Sequence, residues 1–353
     1  MQIDFHHAAT YVAARLAGFT DPDAQIIAYA AQYVDDCTSE GPVYFNNKAI
    51  YNRISSAHSM LDYRNAKELA NHQVWLPFHF LPGNGGKAAG SDPDGGFIEK
   101  IVCCPDSPVA QDMIRECITH KARAYGLHQL GVTMHVYADT WAHQGFAGVL
   151  HMINEVDDAK ETSGSGVFDK GLGEWLRGKL DDVVPPLGHG RANILPDMPF
   201  ITWTYINGHN VKVVRNNTDN FCEAANKLCM AMQCFLLGDA DAQVEGIGKK
   251  DSDVIRKLLA ETRTEDADER HEEWLKAIAE GRFSFGKQPG VTYAPRGRSS
   301  WKASALGTSH DERVHIYSDD FIDSNWKLFH DATQAHRFSV LHDILPRYGI
   351  CAA

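Results

Sequence analysis

The sequence predicts an all-α protein, mainly helical, with long irregular loops between its helices. Three observations predict it. Apolar residues recur at helical spacing, as with Ile26, Ile27, Ala30 and Val34. Start and stop residues bracket such segments: Thr20 or Asp21 with Pro22, Ser107 with Pro108, and Gly18 and Gly126 at helix ends. In the stretch 127–155, LHQLGVTMHVYADTWAHQGFAGVLHMINE, His135, Asp139 and His143 follow one another at four-residue steps. On an α-helix that spacing places them along one face.

Taken in order, residues 10–17 form a first helix stopped by Gly18, and a second helix ends on Asp35 and Asp36. Acids at a helix C-terminus oppose the helix dipole, so the pair has a use beyond solvation. Residues 37–64 read as a loop with a short strand or turn, and 65–75 as a short helix containing His72. His79 then lies between two prolines in VWLPFHFLPG, which favours an extended, fixed backbone. A histidine held there either packs against aromatics or reaches a metal from a loop. Residues 83–96 form a Gly-rich surface loop that lacks the G-K-[ST] of a phosphate loop.

A helix spans 108–125, and the pivotal one follows at 127–145. Its Leu130, Val132, Met134, Val136 and Trp141 cover much of its surface, so it is buried on most sides. Residues 157–172 read as a polar loop and 173–183 as a helix. The stretch PPLGHGRANILPDMPFITWTY, which carries His189 and Asp197, has too many prolines and glycines to be regular. A helix follows at 217–237, a charged helix or helix pair at 251–280 with Trp274 inward, and a last helix at 319–344, after a loop-rich stretch at 284–312. The chain divides into a helical metal-binding core at 1–240 and a helical extension at 241–353 packed on the same domain.

Composition excludes several classes of protein. The net charge of −12 and the lack of a basic stripe argue against tight binding of nucleic acid. The eight cysteines include no C-x-x-C, so they read as reduced thiols of a cytoplasmic protein. No basic-then-apolar leader opens the chain, and no run of 18 apolar residues predicts a transmembrane helix. The oddity is histidine, with 18 copies.

Two imidazoles and a carboxylate on one helix face are the donor types that zinc takes. His151 and Glu155 continue the four-residue step. Burying such groups without partners costs several kcal/mol. A bound cation offsets that cost, and so do hydrogen-bonding partners, in which case the histidines are ordinary buried polar groups. The pairs His330–Asp331 and His342–Asp343 prompt comparison with HD-type phosphohydrolases. That pattern needs its His-Asp pair mid-domain, whereas these lie at the extreme C-terminus.

The block LGVTMHVYADTWAH at 130–143 resembles the signature of the zinc-dependent phospholipase C and P1-nuclease superfamily. The resemblance runs over residues 4–155 and implies an all-helical core holding up to three zinc ions. It implies that His135 and Asp139 form the first H-x-x-x-D motif and that His151 and Glu155 form the later H-x-x-x-E. It further implies Asp35 or Asp36 at a helix end, His79 from a loop, and His6 or His7 at the N-terminus. Two features depart from the pattern. His143 follows Asp139 by four residues where the family leaves six between, and the chain begins MQIDFHH where the family offers the amino group of a tryptophan. Either Asp4 or a neighbouring histidine substitutes for that group, or that metal position is empty. Over its whole length the chain also resembles bacterial proteins that share the DFHH start, the YVDD helix end and the HVYADTWAHQGF block.

The expected function is therefore a metal-dependent hydrolase of phosphoesters, either phosphodiester or phospholipid, with one to three zinc or other divalent ions. The expected ligands are His7, Asp35, Asp36, His79, His135, Asp139, His143, His151 and Glu155. Asp36 or Glu155 serves as the general base for a metal-activated water. His189 and Asp197 face the substrate, Arg123 or Arg191 neutralises phosphate charge, and the loops 83–96 and 185–200 shape the pocket. The partner is a small-molecule or lipid phosphoester. Two rivals stand beside this reading: a non-catalytic helical binding or effector module with a structural metal, and a metallo-amidase, although H-E-x-x-H is absent.

Overall fold

The structure, a computed structural model, describes residues 1–58, 68–167 and 187–352. The helix expected at 173–183 lies outside them. The chain is helical almost from its start. Asp4–Ala9 forms a π-type turn, every residue of it buried, that runs into α1 (Thr10–Ala17). Gly18 takes φ of 110° to end α1, a conformation that glycine adopts without steric cost. The Thr20 hydroxyl accepts the Asp23 N–H to cap α2 (Asp21–Asp36).

Nine further α-helices follow among the described residues: α3 (Glu68–Phe78), α4 (Phe97–Ile101), α5 (Pro108–Thr119), α6 (Gly126–Ala142), α7 (Asn217–Leu237), α8 (Lys249–Glu261), α9 (Ala267–Glu280), α10 (Trp301–Leu306) and α11 (Asn325–Phe338). Helix α6 is the axis of the core, with every residue but Leu127 buried. Helix α2 lies so close to it that a Cβ on Gly131 would meet the Ile27 carbonyl oxygen at 2.4 Å. One buried cluster joins Phe5, Leu130, Phe221, Trp274 and Val340, so the first 240 residues and the C-terminal part share a core.

The all-α expectation is corrected by two small antiparallel sheets, which make the fold mixed α/β around a helical core. The first is a hairpin of β1 (Gly41–Tyr44) and β2 (Ile50–Arg53). The second has the order β3 (Val156–Glu161), β4 (Thr202–Asn207), β5 (Lys212–Asn216). Its cause lies in the sequence. Trp203 and Tyr205 of TWTYIN are buried in alternation with less buried neighbours, the period of a half-buried strand. The three-residue turn 208–210 then returns the chain as β5. The prolines and glycines of the preceding stretch mask that alternation.

Two further expectations change. The segment before His79 is helical, with Pro77 inside the last turn of α3. A proline there removes one N–H and can be accommodated where the helix is ending. Helix α6 stops at Ala142 with His143 as its C-cap, short of the expected end at 145. The stop is held by Arg215 of β5. Its buried guanidinium donates to the carbonyls of Trp141 at 2.9 Å and Ala142 at 3.0 Å, two of the acceptors that a helix end leaves unpaired. No described helix is long and apolar enough to cross a membrane.

Candidate metal centre

Helix α6 delivers His135 and Asp139 to the centre of the molecule, and its cap delivers His143. The end of α2 brings Asp35, the residue after α3 brings His79, and the N-terminal π-turn brings His6. The irregular segment after the described gap adds His189 and Asp197. Asn217 holds that segment. Its amide donates to the carbonyls of Leu195 and Met198, both at 2.7 Å, and accepts the Trp203 indole N–H at 3.2 Å.

These side chains form three overlapping or adjoining groups: His6, Asp35 and His135; His79, His135 and Asp139; His143, His189 and Asp197. Within each group the ligand atoms lie within 4.8 Å of one another. The Asp139 carboxylate is central. Its Oδ2 is 3.3 Å from His135 Nε2 and 3.4 Å from His79 Nδ1, yet this buried oxygen accepts no hydrogen bond. Asp35 Oδ1 is 3.8 Å from both of those imidazole nitrogens. Asp197 lies 3.7 Å from His143 Nε2 and 3.5 Å from His189 Nε2.

Four imidazoles share one arrangement. His135 Nδ1 donates to the Ala31 carbonyl at 2.8 Å, and His79 Nε2 to the Ser56 carbonyl at 2.9 Å. His143 Nδ1 donates to the His79 carbonyl at 2.6 Å, and His189 Nδ1 to the Asn193 carbonyl at 2.7 Å. A carbonyl can only accept, so each bond fixes the tautomer. The other ring nitrogen is left as a lone pair facing the carboxylates. This is the outer-partner arrangement that orients metal-ligating histidines. His6 differs: its ring stacks on His135 with centroids 3.8 Å apart, and its Nε2 stands 3.1 Å from Asp139 Oδ1.

The electrostatics suit cation binding. Burial lowers His143 to about 4, so its imidazole is neutral at pH 7 and its lone pair is available. Burial by itself pushes the Asp139 carboxyl up. The imidazoles around it, His143 first, together with the Met1 amino group outweigh burial and hold Asp139 well below the carboxylate range. That amino group stands 2.6 Å from Asp139 Oδ1 and 3.1 Å from Asp197 Oδ1. It, and not Asp4, lies beside the carboxylates. Asp4 faces away and accepts a 2.7 Å hydrogen bond from Arg270.

Several expected site residues sit elsewhere. Neighbours on a helix point in different directions, so His6 and His7 cannot both face the centre. His7 turns to His271, with Nδ1 to Nε2 at 2.8 Å. His151 accepts the Ile153 N–H at a short 3₁₀ turn, and Glu155 is 3.7 Å from Arg191. Neither joins the cluster: the two residues flank the 3₁₀ turn Met152–Asn154, beyond the end of α6 at Ala142. Asp36 is near the centre but outside the three groups, and its Oδ2 accepts the Tyr293 hydroxyl at 2.6 Å. Arg123 is exposed and does not line the cavity over the centre. His189 and Asp197, expected to face substrate, stand among the possible ligands. Sequence reasoning missed the Met1 amino group, Tyr293 and Asn217; nothing in their local sequence marks them.

A cavity of 1150 Å³ opens over the centre, lined by Asp35, Asp36, His79, Asp139, His143, His189 and Asp197, with Trp75, Phe80 and Tyr293 as aromatic walls. Fold and site together define a class: a mixed, mainly helical protein with a buried His/Asp centre at the floor of a cavity, its donor groups within metal-binding distance. The chain belongs to the family of unknown function DUF6765, which it matches over residues 1–344. No curated protein and no solved structure matches the chain.

Proposed function

We propose that this protein is a metal-dependent hydrolase of phosphoesters with zinc at the His/Asp centre. The observation that carries the reading is the set of four imidazoles, each tied through one nitrogen to a backbone carbonyl and presenting the other beneath an open cavity. A closed structural site surrounds its ion with protein ligands, whereas a catalytic one leaves room for water and substrate. A divalent ion supplies Lewis-acid chemistry there, acidifying water and polarising a phosphoryl oxygen.

The chain's own groups have separable tasks in this reading. His79, His135, Asp139 and Asp35 hold one position, and His143, His189 and Asp197 a second. Asp36 lines the cavity without joining either set, so its carboxylate is free to accept a proton from the attacking water. Tyr293 and Gln32 orient it, at 2.6 and 3.4 Å. Trp75, Phe80 and Tyr293 give the cavity apolar walls for the ester's organic part.

The test pairs elemental analysis with hydrolysis of bis(4-nitrophenyl) phosphate. Protein purified without a polyhistidine tag carries zinc and turns over the diester, and Asp139→Asn loses both. The loss in rate exceeds the 10–100-fold that removal of an outer partner costs, so it is more than about 100-fold. Wild-type protein without stoichiometric metal sinks the proposal. Bound metal without hydrolysis of any phosphoester leaves the structural-site rival in its place.

A further inference from the structure

A second cavity, of 480 Å³, adjoins the first, and Asp36 and Pro295 line both. Its character is the reverse of the metal centre's. In a chain of net charge −12, its walls carry Arg53, Arg296 and Lys302, together with the hydroxyl residues Thr38, Ser39 and Ser309. Arg53 is 8% exposed, and its Nε is buried without a hydrogen bond. Its two terminal nitrogens grip Asp311 in a fork, Nη1 to Oδ1 at 2.8 Å and Nη2 to Oδ2 at 2.9 Å. Lys302 reaches the same carboxylate at 2.5 Å. Among the described residues, these two largely buried cations share this single acid.

The acid itself is poorly seated. The Asp311 side chain is 53% exposed, while those of Arg53 and Lys302 are 10% and 14% exposed. The buried half of the interaction is thus a preformed cationic fork, and the exposed half is a carboxylate that a phosphate can replace from the solvent side. A guanidinium fork beside an ammonium binds a phosphate by the same geometry with which it binds a carboxylate. The field is felt locally: the buried His330 imidazole is lowered to about 3, by burial first and then by Arg53 and Lys302.

We infer that the Arg53–Lys302 fork is an anion site for a phosphate group, and that Asp311 is an internal stand-in which that phosphate displaces. The inference does not depend on the hydrolase reading, because it uses no residue of the metal centre. The adventitious alternative is that Asp311 only anchors its own loop.

Titration calorimetry with inorganic phosphate separates the two, using full-length wild type, Asp311→Asn, and Asp311→Asn combined with Lys302→Gln. With the internal competitor neutralised, Asp311→Asn binds phosphate at least about tenfold more tightly than wild type. Adding Lys302→Gln removes that gain, and thermal unfolding of the three proteins checks that each is folded. An affinity unchanged by Asp311→Asn overturns the inference. So does a gain that survives Lys302→Gln, because phosphate is then bound outside this cavity.

Discussion

His143 Nδ1 lies 2.6 Å from the carbonyl oxygen of His79, so one candidate ligand's backbone sets the tautomer of another. The bond ties the end of α3 to the end of α6 and leaves His143 Nε2 toward Asp197. His143→Ala is therefore expected to lower metal affinity by more than the 10–100-fold, on that order, that outer partners contribute. Competition with a chromogenic chelator reads this directly. Wild-type affinity in the variant would remove His143 from the centre.

Gly131 sets the spacing of α2 and α6. A methyl group there meets the Ile27 carbonyl oxygen at 2.4 Å and Ala30 Cβ at 2.6 Å, and one of those contacts is backbone that cannot rotate aside. Gly131→Ala should destabilise the fold by about 1–3 kcal/mol, the range for overpacking. It should also weaken metal binding, because the displaced α2 carries Asp35 and the Ala31 carbonyl that orients His135. Urea unfolding with parallel metal analysis checks both effects. A fall in stability alone would separate helix packing from the site.

Arg270 is 1% exposed and donates to Asp4 at 2.7 Å and to the Thr264 carbonyl at 2.7 Å. Helix α9 thereby clamps the π-turn that presents His6. Removing one partner of a buried pair strands the other charge, so Arg270→Ala is expected to cost about 3–5 kcal/mol. Replacing both partners with apolar residues should cost less than Arg270→Ala alone, a comparison that thermal unfolding of the single and double variants makes.

Stability should fall in mild acid. Burial lowers His128 to about 4 and His330 to about 3, against an unfolded value near 6.5. The unfolded chain then binds more protons than the folded one below pH 6.5, so unfolding free energy rises with pH in that window. The contribution is complete above pH 6.5 and is lost as pH falls toward 4 and 3, at about 1.4 kcal/mol per group per pH unit. His330→Gln should flatten the slope measured between pH 4 and 6. An unchanged slope would mean that His330 titrates normally.

Part of the site was legible because it is local. His135 and Asp139 lie one helical turn apart within an apolar helix, and the periodicity of a helix alone puts them on one face. The same reasoning failed one turn further on. Nothing between 140 and 150 says that Arg215, from a strand 70 residues later, takes the last carbonyls of α6 and ends it. His151 and Glu155 keep the four-residue step in sequence but cap a separate 3₁₀ turn, away from the centre. The β3–β4–β5 sheet was hidden in a similar way, its strand alternation lying beside prolines that read as irregular.

By itself the sequence determined the helical framework, the acidic end of α2, and the supply of imidazoles and carboxylates. These follow from spacing, caps and residue chemistry within a turn or two of chain. Only the tertiary structure decided which donors meet. It chose His6 over His7, seated Asp197 against His143 and His189, and gave His135, His79 and His143 each a carbonyl from a distant element. The reason is physical: a metal-ligand geometry is a set of distances of a few ångströms between residues that stand far apart in the sequence. Those distances are set by how close Gly131 lets α2 approach α6 and by where Arg215 ends α6.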